Sequence, residues 1–248
     1  MIRDRLGAFG LRLTDEEEVD STNRLAADAA RAGEASGLVV RARSQRRGRG
    51  RQGRTWSAAP GDALLASFLL RPRIKPESLP RVTLAAGLAV CEAARRAGLS
   101  PWIKWPNDVL IGPKKLAGIL CEFIPGNPPG IVVGIGINLR TNRLPPEIAS
   151  RAAEWNAESD DVLAAVAERL VREVAAIEAG HWDDVRGRCE AAMTPMLGRS
   201  ITVGRGSVAS AIGLDEDGAL LVRSGGESSR RVVAGDVHLG TEALACSS

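Results

Sequence analysis

Apolar residues recur at helical spacing in four segments of the chain. Between Asp160 and Ala179 they fall every three or four positions, which places them along one face of an amphipathic helix. Asp20-Ser21-Thr22, a cluster of residues that favour helix N-termini, opens another segment, which Gly33 ends. We therefore predict helices over the segments Asn23 to Ala30, Ser78 to Ala97, Asp160 to Ala179 and Trp182 to Met193.

Shorter apolar runs between these segments are typical of β-strands. Proline and glycine turns separate the runs, and their lengths suit the strands of one sheet. The predicted strands are Gly37 to Arg43, Asp62 to Leu70, Val109 to Ile111, Leu116 to Phe123 and Ile131 to Leu139.

The pattern changes from about Leu197 onward. Four short β segments follow closely, at 200–203, 207–212, 219–222 and 230–233, and Asp217-Gly218 and Gly225-Gly226 provide turns between them. This spacing predicts a small β-barrel appended to the main domain. We therefore divide the chain into a domain of residues 1–196 and a domain of residues 197–248.

The composition and the N-terminal residues argue against membrane and secreted classes of protein. The longest apolar run, Ile131 to Leu139, has about half the length that a membrane span requires. The N-terminal residues lack the apolar core of a secretory signal, and the acidic Glu16-Glu17-Glu18 disfavours a basic transit peptide. Four widely spaced cysteines without a CxxC pair indicate reduced thiols. We expect a cytoplasmic protein with no membrane partner.

Positive charge is concentrated in one segment of the chain. Seven arginines and no acidic residue lie between Arg41 and Arg54, and removing these seven charges from the formal net charge of +3 leaves the remainder at −4. A general nucleic-acid-binding protein would spread basic charge over a face, so this pattern predicts one local anion site. We expect the Arg/Gly segment from Ser44 to Arg54 to form a surface loop that closes over an anionic ligand.

The glycines of this segment match the GxGxxG pattern of dinucleotide-binding loops. The segment that follows, Arg54 to Gly61, cannot supply the helix whose N-terminus would hold a pyrophosphate, so a Rossmann site is not predicted. Alternating glycine and arginine can instead close around a polyanion, because guanidinium groups bind phosphate and carboxylate in a planar fork. A solvated basic loop or a nucleic-acid patch is an equally good interpretation of this segment alone.

A second cluster holds three of the four lysines in a protein with 29 arginines. Lys104 opens the sequence KWPND, and Lys114 and Lys115 precede LAGIL. A lysine among so many arginines is consistent with a need for a compact point charge. The WPND turn by itself is more often a structural element, with its tryptophan in the core.

Five motifs follow one another along the chain. They are Ser21-Thr22-Asn23, Gln45 with the GRGRxGRxW segment from Gly48 to Trp56, KWPND at Lys104 to Asp108, KLAGIL at Lys115 to Leu120, and GIGINL at Gly134 to Leu139. In this order they resemble the motifs of biotin protein ligases, and the resemblance covers nearly the whole chain.

The resemblance implies a fold and a reaction. The fold would be α+β, with a mixed β-sheet backed by helices, as in the class II synthetase-like catalytic domain of biotin and lipoyl ligases, and with a C-terminal SH3-like barrel. The reaction would join biotin and ATP as biotinyl-5′-AMP and then transfer biotin to one lysine of a biotin carboxyl carrier domain in a biotin-dependent carboxylase. Only twenty residues precede Ser21, so we expect no DNA-binding repressor domain and no DNA partner.

The resemblance also assigns roles to individual residues. The residues that would bind biotin are Ser21, Thr22, Asn23, Gln45, Arg49, Gly50, Arg51, Trp56, Lys115 and Gly118. Those that would bind ATP are Arg51, Arg54, Trp56, Asn107, Lys115 and Asn138, and Mg²⁺ is expected to accompany ATP. A plain N-cap is the competing interpretation of Ser21 or Thr22.

The chemistry of adenylation supports these assignments. A carboxylate must approach the α-phosphate, so neutralising two anions is the main catalytic requirement, and Arg49 and Lys115 are the candidates with Arg51. The acceptor lysine needs a partner for its proton, and Asp108 is the candidate catalytic base, with a turn-capping role as the alternative. Two competing functions remain from the sequence: a lipoate or octanoyl ligase on a related fold, and a nucleic-acid-binding module that uses the Arg/Gly segment.

Overall fold

The computed structural model describes residues 1–204, 206–225, 228–233, 235 and 237–239. Its helices are α1 (Ile2–Gly7), α2 (Thr22–Arg31), α3 (Leu79–Arg96), α4 (Pro146–Ala149), α5 (Ser159–Glu178) and α6 (Trp182–Ala192). Its strands are β1 (Arg12–Val19), β2 (Leu38–Gln45), β3 (Ala63–Leu70), β4 (Pro101–Lys104), β5 (Asp108–Ile111), β6 (Lys114–Ile124), β7 (Gly130–Asn138), β8 (Ser200–Val203), β9 (Ser207–Leu214), β10 (Leu220–Arg223), β11 (Arg230–Val232) and β12 (Val237–Leu239).

Seven strands form one mixed sheet in the order β1-β2-β3-β7-β6-β5-β4. β1 and β2 are parallel, and the other neighbours are antiparallel. The alternation of side chains along the strands divides the core between the two faces. Val39 and Phe68 pack in the larger cluster with α3 and α5, whereas Val40 and Leu69 pack against the alanines of α2 on the opposite face. Of the helices that the structure describes, only α2 therefore packs against this second face of the sheet, and the predicted motifs lie on the same face.

The C-terminal residues form a separate five-stranded antiparallel sheet in the order β11-β10-β9-β8-β12. The predicted α+β class, with a mixed sheet backed by helices and a small C-terminal β unit, is confirmed. The boundary between residues 196 and 197 stays a prediction. The two units are joined by contacts: the indole Nε1 of Trp105 donates to the Gly218 carbonyl at 3.1 Å, and Arg81 pairs with Asp217 at 3.3 Å.

The four predicted helices and the predicted strands are present with shifted ends, and five elements were missed. These are α1, β1, β4, α4 and β12. Strand β1 was missed because it is an edge strand in which Leu13 is the one buried residue, so its sequence alternates little and reads as an acidic run.

Two further expectations from composition can be compared with the described residues. In that part of the chain, no helix combines the length and the apolar character that crossing a membrane requires. Cys91, Cys121 and Cys189 form no disulfide, and Cys246 lies outside the described residues. Burial raises the pKa of the Cys121 thiol to about 12, so this thiol stays protonated near neutral pH.

Candidate active site

A cavity of about 120 Å³ opens on the α2 face of the large sheet. It is bounded by the N-terminus of α2, by residues 46–56, which we call the flap, and by the facing residues of β6 and β7. All the predicted site residues except Asn138 line it: Ser21, Thr22, Asn23, Gln45, Arg49, Gly50, Arg51, Arg54, Trp56, Asn107, Asp108, Lys115 and Gly118. Residues separated by nearly a hundred positions in the sequence therefore meet in one place.

The N-terminus of α2 presents hydroxyl and amide groups to this cavity. Gln45, the last residue of β2, accepts hydrogen bonds through Oε1 from the backbone N–H of Thr22 at 2.7 Å and from the Thr22 hydroxyl at 3.1 Å. Ser21 occupies the N-cap position with extended backbone, but its side chain makes no capping hydrogen bond. The N-cap interpretation of Ser21 thus holds for its backbone position, and its hydroxyl is available for other partners.

Asn23 is buried beneath the cavity and its amide is fully engaged. Its Nδ2 donates to the Leu120 carbonyl at 3.1 Å and to Glu122 Oε2 at 2.9 Å, and its Oδ1 accepts from the Ser67 hydroxyl at 2.6 Å. A Cβ atom on Gly134 would lie 1.8 Å from that Oδ1, so only glycine leaves room for this side chain on β7. Asn23 therefore ties α2 to the sheet floor.

The flap folds back on itself as a tight hairpin. Arg49 and Thr55 form a β-bridge, Gly50 N–H donates to the Arg54 carbonyl at 2.7 Å, and Trp56 N–H donates to the Gly48 carbonyl at 3.0 Å. A Cβ atom on Gly48 would lie 2.3 Å from the Trp56 carbonyl oxygen, so a larger residue would separate the two arms. The two arms of the flap are therefore bonded to each other, so a contact made by one arm also affects the other.

Arg49, Arg51 and Trp56 of the flap contact other residues of the site. Arg49 pairs with Glu122 of β6 at 3.0 Å, Arg51 donates to Asn107 Oδ1 at 3.2 Å, and Trp56 lies against the sheet. A Cβ atom on Gly136 would lie 2.7 Å from the Trp56 ring, and one on Gly118 would lie 3.0 Å from it. The two glycines face each other across β6 and β7, and together they form the floor on which the indole rests.

Lys115 lies between a carboxylate and an aromatic ring. Its Nζ is 2.7 Å from Asp108 Oδ1 and 5.5 Å from the centre of the Trp56 ring, which is a cation–π distance. The backbone carbonyl of Lys115 accepts from Asn138 Nδ2 at 3.0 Å, which holds this part of β6 in place. The ammonium group therefore reaches the cavity from a fixed backbone.

Asn138 lines a neighbouring cavity of about 400 Å³ instead of the first one. Arg54, Trp56, Asp108 and Lys115 line both cavities. Asn107, by contrast, lines the first cavity, and its side chain and backbone are both bonded to Ile119, with Nδ2 donating to the Ile119 carbonyl at 2.9 Å. The predicted site is thus two adjoining compartments that meet at Lys115.

The structure corrects the prediction that all seven arginines form one anion site. Arg41, Arg43 and Arg46 pair instead with acidic residues, chiefly those of β1 and the residue that follows it: Asp15, Glu17, Glu18, Asp20 and, from α5, Asp160. The parallel pairing of β1 with β2 places the two charge runs side by side, and the sequence did not show this because β1 was missed. Only Arg49, Arg51 and Arg54 of the seven line the first cavity.

Several residues of the site were not predicted, among them Ser67, Glu122, Gly134 and Gly136. Ser67 is a polar residue in a strand whose eight residues are all buried, and that contrast was an available signal. The glycines stand in the GIGINL motif, which was predicted to form a strand and contributed to the resemblance, but neither glycine was assigned to the site. Their spacing of two places them on one face of β7, where they make room for side chains from elsewhere.

The described residues do not form a resident metal site. No group of three potential metal-ligating side chains is found among them, and Asp108, the carboxylate nearest Lys115, is already ion-paired.

Two family models match the chain. Residues 17–138 match the Biotin/lipoate A/B protein ligase family, and residues 196–240 match the Biotin protein ligase C terminal domain.

Known proteins resemble the chain over most of its length. It is 33% identical to the biotin--[acetyl-CoA-carboxylase] ligase of Mycobacterium tuberculosis, over 96% of this chain and 94% of the relative. It is 31% identical to the protein of the same name from Paracoccus denitrificans, over 89% of this chain and 98% of the relative. Among solved structures, the biotin protein ligase from Aquifex aeolicus in complex with biotin and ATP superposes with a TM-score of 0.79 at 29% identity, covering 92% of this chain and 98% of that one.

Proposed function

The chain belongs to the biotin protein ligase family and is an ATP-dependent biotin ligase; we propose that the cavity under the flap is where it activates biotin and from which it transfers biotin to a carrier lysine. The observation that carries this proposal is the convergence of every predicted site residue except Asn138 on that one cavity. Individual side chains have separate proposed roles in the activation step and in the transfer step.

Biotin recognition requires groups that match a ureido ring, which both donates and accepts hydrogen bonds. The Oε1 atom of Gln45 already accepts hydrogen bonds from Thr22, so the Nε2 amide protons of Gln45 can donate to a carbonyl oxygen of the ligand. The Ser21 hydroxyl, which does not cap α2, can donate or accept. We assign the ureido ring to this corner, and we assign Asn23 the supporting role that its engaged amide indicates.

Adenylation brings two anions together. A carboxylate oxygen of biotin attacks the α-phosphorus of ATP, the bond from that phosphorus to the bridging oxygen breaks, and pyrophosphate leaves. Lys115 stands where the two compartments meet, so its ammonium can neutralise the carboxylate and the α-phosphate at once. Arg49 and Arg51 approach the same cavity from the flap, and we assign them to the carboxylate and to the phosphates.

The nucleotide is assigned to the larger compartment beside Asn138. Trp56 forms a wall shared by both compartments, which suits a ring that shields the mixed anhydride from water. Arg54 lies at the same boundary, where its charge would act on the phosphates. Mg²⁺ is proposed to enter as the ATP complex.

Transfer consumes the anhydride. The amine of the carrier lysine attacks the acyl carbon, an amide forms, and AMP leaves with the bridging oxygen. Deprotonating a lysine of ordinary pKa at pH 7 costs about 4 to 5 kcal/mol, so a carboxylate that receives the proton lowers the barrier. Asp108 is proposed for this role, because its carboxylate lines both compartments beside Lys115, where the anhydride would form. The partner is the carrier domain of a biotin-dependent carboxylase, and a cytoplasmic location is proposed with it.

The function is tested by replacing Lys115. Lys115→Ala removes the one ammonium at the junction of the compartments, and we expect biotin-dependent exchange of pyrophosphate into ATP to fall by about a hundredfold or more. Lys114→Ala is the matched control, because Lys114 is the exposed neighbour on the same strand and does not line either cavity. Equal exchange rates in the two variants would refute the role of Lys115.

The same assay separates the alternatives. Exchange driven by lipoate and not by biotin would assign the chain to the lipoate branch of the family model. A nucleic-acid module is disfavoured because Arg41, Arg43 and Arg46 are neutralised by neighbouring carboxylates. Binding to random DNA that falls steeply with salt would reinstate it.

A further inference from the structure

Glu122 is a carboxylate of β6 that joins the flap to the sheet floor. It lies on β6 beyond the KLAGIL motif, and no motif pointed to it. Its Oε1 is 3.0 Å from Arg49 Nη2, and its Oε2 accepts from Asn23 Nδ2 at 2.9 Å and more weakly from Arg49 Nη1 at 3.4 Å. The same carboxylate therefore holds a flap side chain and a buried side chain of α2.

The floor side of this connection is rigid. Asn23 is only 5% exposed, and the Ser67 hydroxyl, which is fully buried, lies within hydrogen-bond distance of both Asn23 Oδ1 and Thr22 Oγ1. Thr22 is in turn bonded to Gln45. Glu122 thus stands at the end of a buried polar network whose other end is the proposed ureido corner, and buried networks with every member bonded keep their geometry.

The flap side of the connection is adaptable. Glu122 contacts both terminal nitrogens of the Arg49 guanidinium, a group that has five N–H donors in all. The Arg49 side chain remains 51% exposed, so the other donors can meet a second anion without loss of the first. A guanidinium fixed by one carboxylate in this way is oriented in advance for a ligand.

We propose that Glu122 is a clasp and a positioning residue: its carboxylate holds Arg49, and through Arg49 the whole flap, over the cavity. The internal hydrogen bonds of the flap make the attachment of one side chain act on all of it. Glu122 itself touches no reacting atom. Loss of this clasp should loosen the flap in the protein without ligands. It should also weaken the retention of biotin and of the adenylate, a consequence that rests on the proposed function.

Glu122→Gln tests the clasp with little change of shape. The amide oxygen of glutamine can still accept from Asn23, whereas the negative charge that holds Arg49 is lost. Glu18→Gln is the matched control, because Glu18 pairs at 3.3 Å with Arg46 at the base of the same flap but lies outside the cavity. Thermal unfolding of each variant checks that the fold is retained.

The primary readout is hydrogen exchange of flap amides in the protein without ligands. An ion pair as exposed as this one contributes up to about 1 kcal/mol, which corresponds to roughly fivefold. Once it is detached from the sheet floor, the short hairpin has fewer contacts that keep its own hydrogen bonds closed, so we expect the amides of Gly50 and Trp56 to exchange about fivefold faster in Glu122→Gln and at the unchanged rate in Glu18→Gln. Unchanged exchange in Glu122→Gln would overturn the clasp. If Glu122→Gln unfolds, Arg49→Gln tests the same pair from the flap side and must give the same faster exchange.

The catalytic readout is the fate of the activated intermediate. We expect Glu122→Gln to raise the KM for biotin by about fivefold and to increase the AMP released per biotin attached to the carrier, because a looser flap lets the adenylate escape. A general loss of structure would lower kcat without changing that ratio. Faster hydrogen exchange of the flap amides with an unchanged amount of AMP released per biotin attached would support the clasp but overturn its role in retaining the adenylate. Absence of all biotin activation in the wild type would sink the proposed function and leave the exchange result standing.

Discussion

Replacing Gly136 by alanine tests whether the indole of Trp56 must rest directly on the sheet. The new Cβ would lie 2.7 Å from Cε2, 2.9 Å from Cζ2 and 3.0 Å from Cδ2 of the ring. Comfortable carbon–carbon contacts are about 3.5 to 4.0 Å, so the ring must move by roughly 0.8 Å or more. The contacted atoms belong to the fused bicycle, so no single rotation relieves all three contacts.

The strand itself cannot yield instead. Gly136 is paired with Leu65 of β3 on one side and with Gly118 of β6 on the other, at the centre of the sheet. Overpacking of this kind destabilises a structure by about 1 to 3 kcal/mol, and we expect the flap to relieve it by moving away from the sheet. A displacement near 1 Å at a catalytic boundary can lower the rate by about a hundredfold. We expect biotin-dependent pyrophosphate exchange to fall between about tenfold and a hundredfold.

The control is the same substitution on the same strand. A Cβ atom on Gly130 would meet Leu69 Cδ1 at 3.1 Å and Arg71 Nη1 at 3.4 Å, and both atoms are ends of flexible side chains. We expect Gly130→Ala to retain near-normal exchange. The two variants are compared at one temperature below both unfolding midpoints. If Gly136→Ala exchanges pyrophosphate as fast as Gly130→Ala, the inferred seating of Trp56 is wrong.

Two further predictions concern the support of the site. Trp105→Phe and Trp102→Phe each remove one indole hydrogen bond to a backbone carbonyl, but Trp105 donates to Gly218 of the C-terminal unit and Trp102 donates within its own hairpin. We expect both variants to lose about 1 to 2 kcal/mol of stability, and we expect the adenylation rate to fall only in Trp105→Phe. Equal adenylation rates in the two variants would contradict the role of the C-terminal unit in supporting the site. Glu173→Ala removes the fully buried partner of Arg188, but Arg188 is 41% exposed and keeps its ion pair with Glu92, so urea denaturation should show a loss of about 1 to 3 kcal/mol. A loss below about 0.5 kcal/mol would show that the buried carboxylate is not needed.

Local sequence patterns were sufficient for most of the core and for naming thirteen residues that line one cavity. Helix α5 and strand β3 are long apolar segments whose period or continuity reflects burial, so they could be predicted without neighbours. Lys115, Arg49 and Gln45 were predicted because they stand in contiguous motifs. A contiguous motif keeps its identity in the sequence even though its partners lie far away along the chain.

The partners of those residues were decided by tertiary structure. The sequence shows seven arginines and a run of acids as separate features, and only the parallel pairing of β1 with β2 places Arg43 beside Glu17 and removes half of the expected anion site. Asn23 was predicted as a ligand, but its contacts with Ser67 and Glu122 give it a structural task.

The sequence by itself thus determined the fold class and the candidate residues for the chemistry, because residue type and local spacing are encoded position by position. Which of them face the ligand and which support a neighbour was decided by the sheet, because strand register sets side chains from distant segments within hydrogen-bond reach. The glycines of β7 show both sides of this division. Their identity is plain in the sequence, whereas their purpose, room for Trp56 and Asn23, exists only once the flap and α2 lie across that strand.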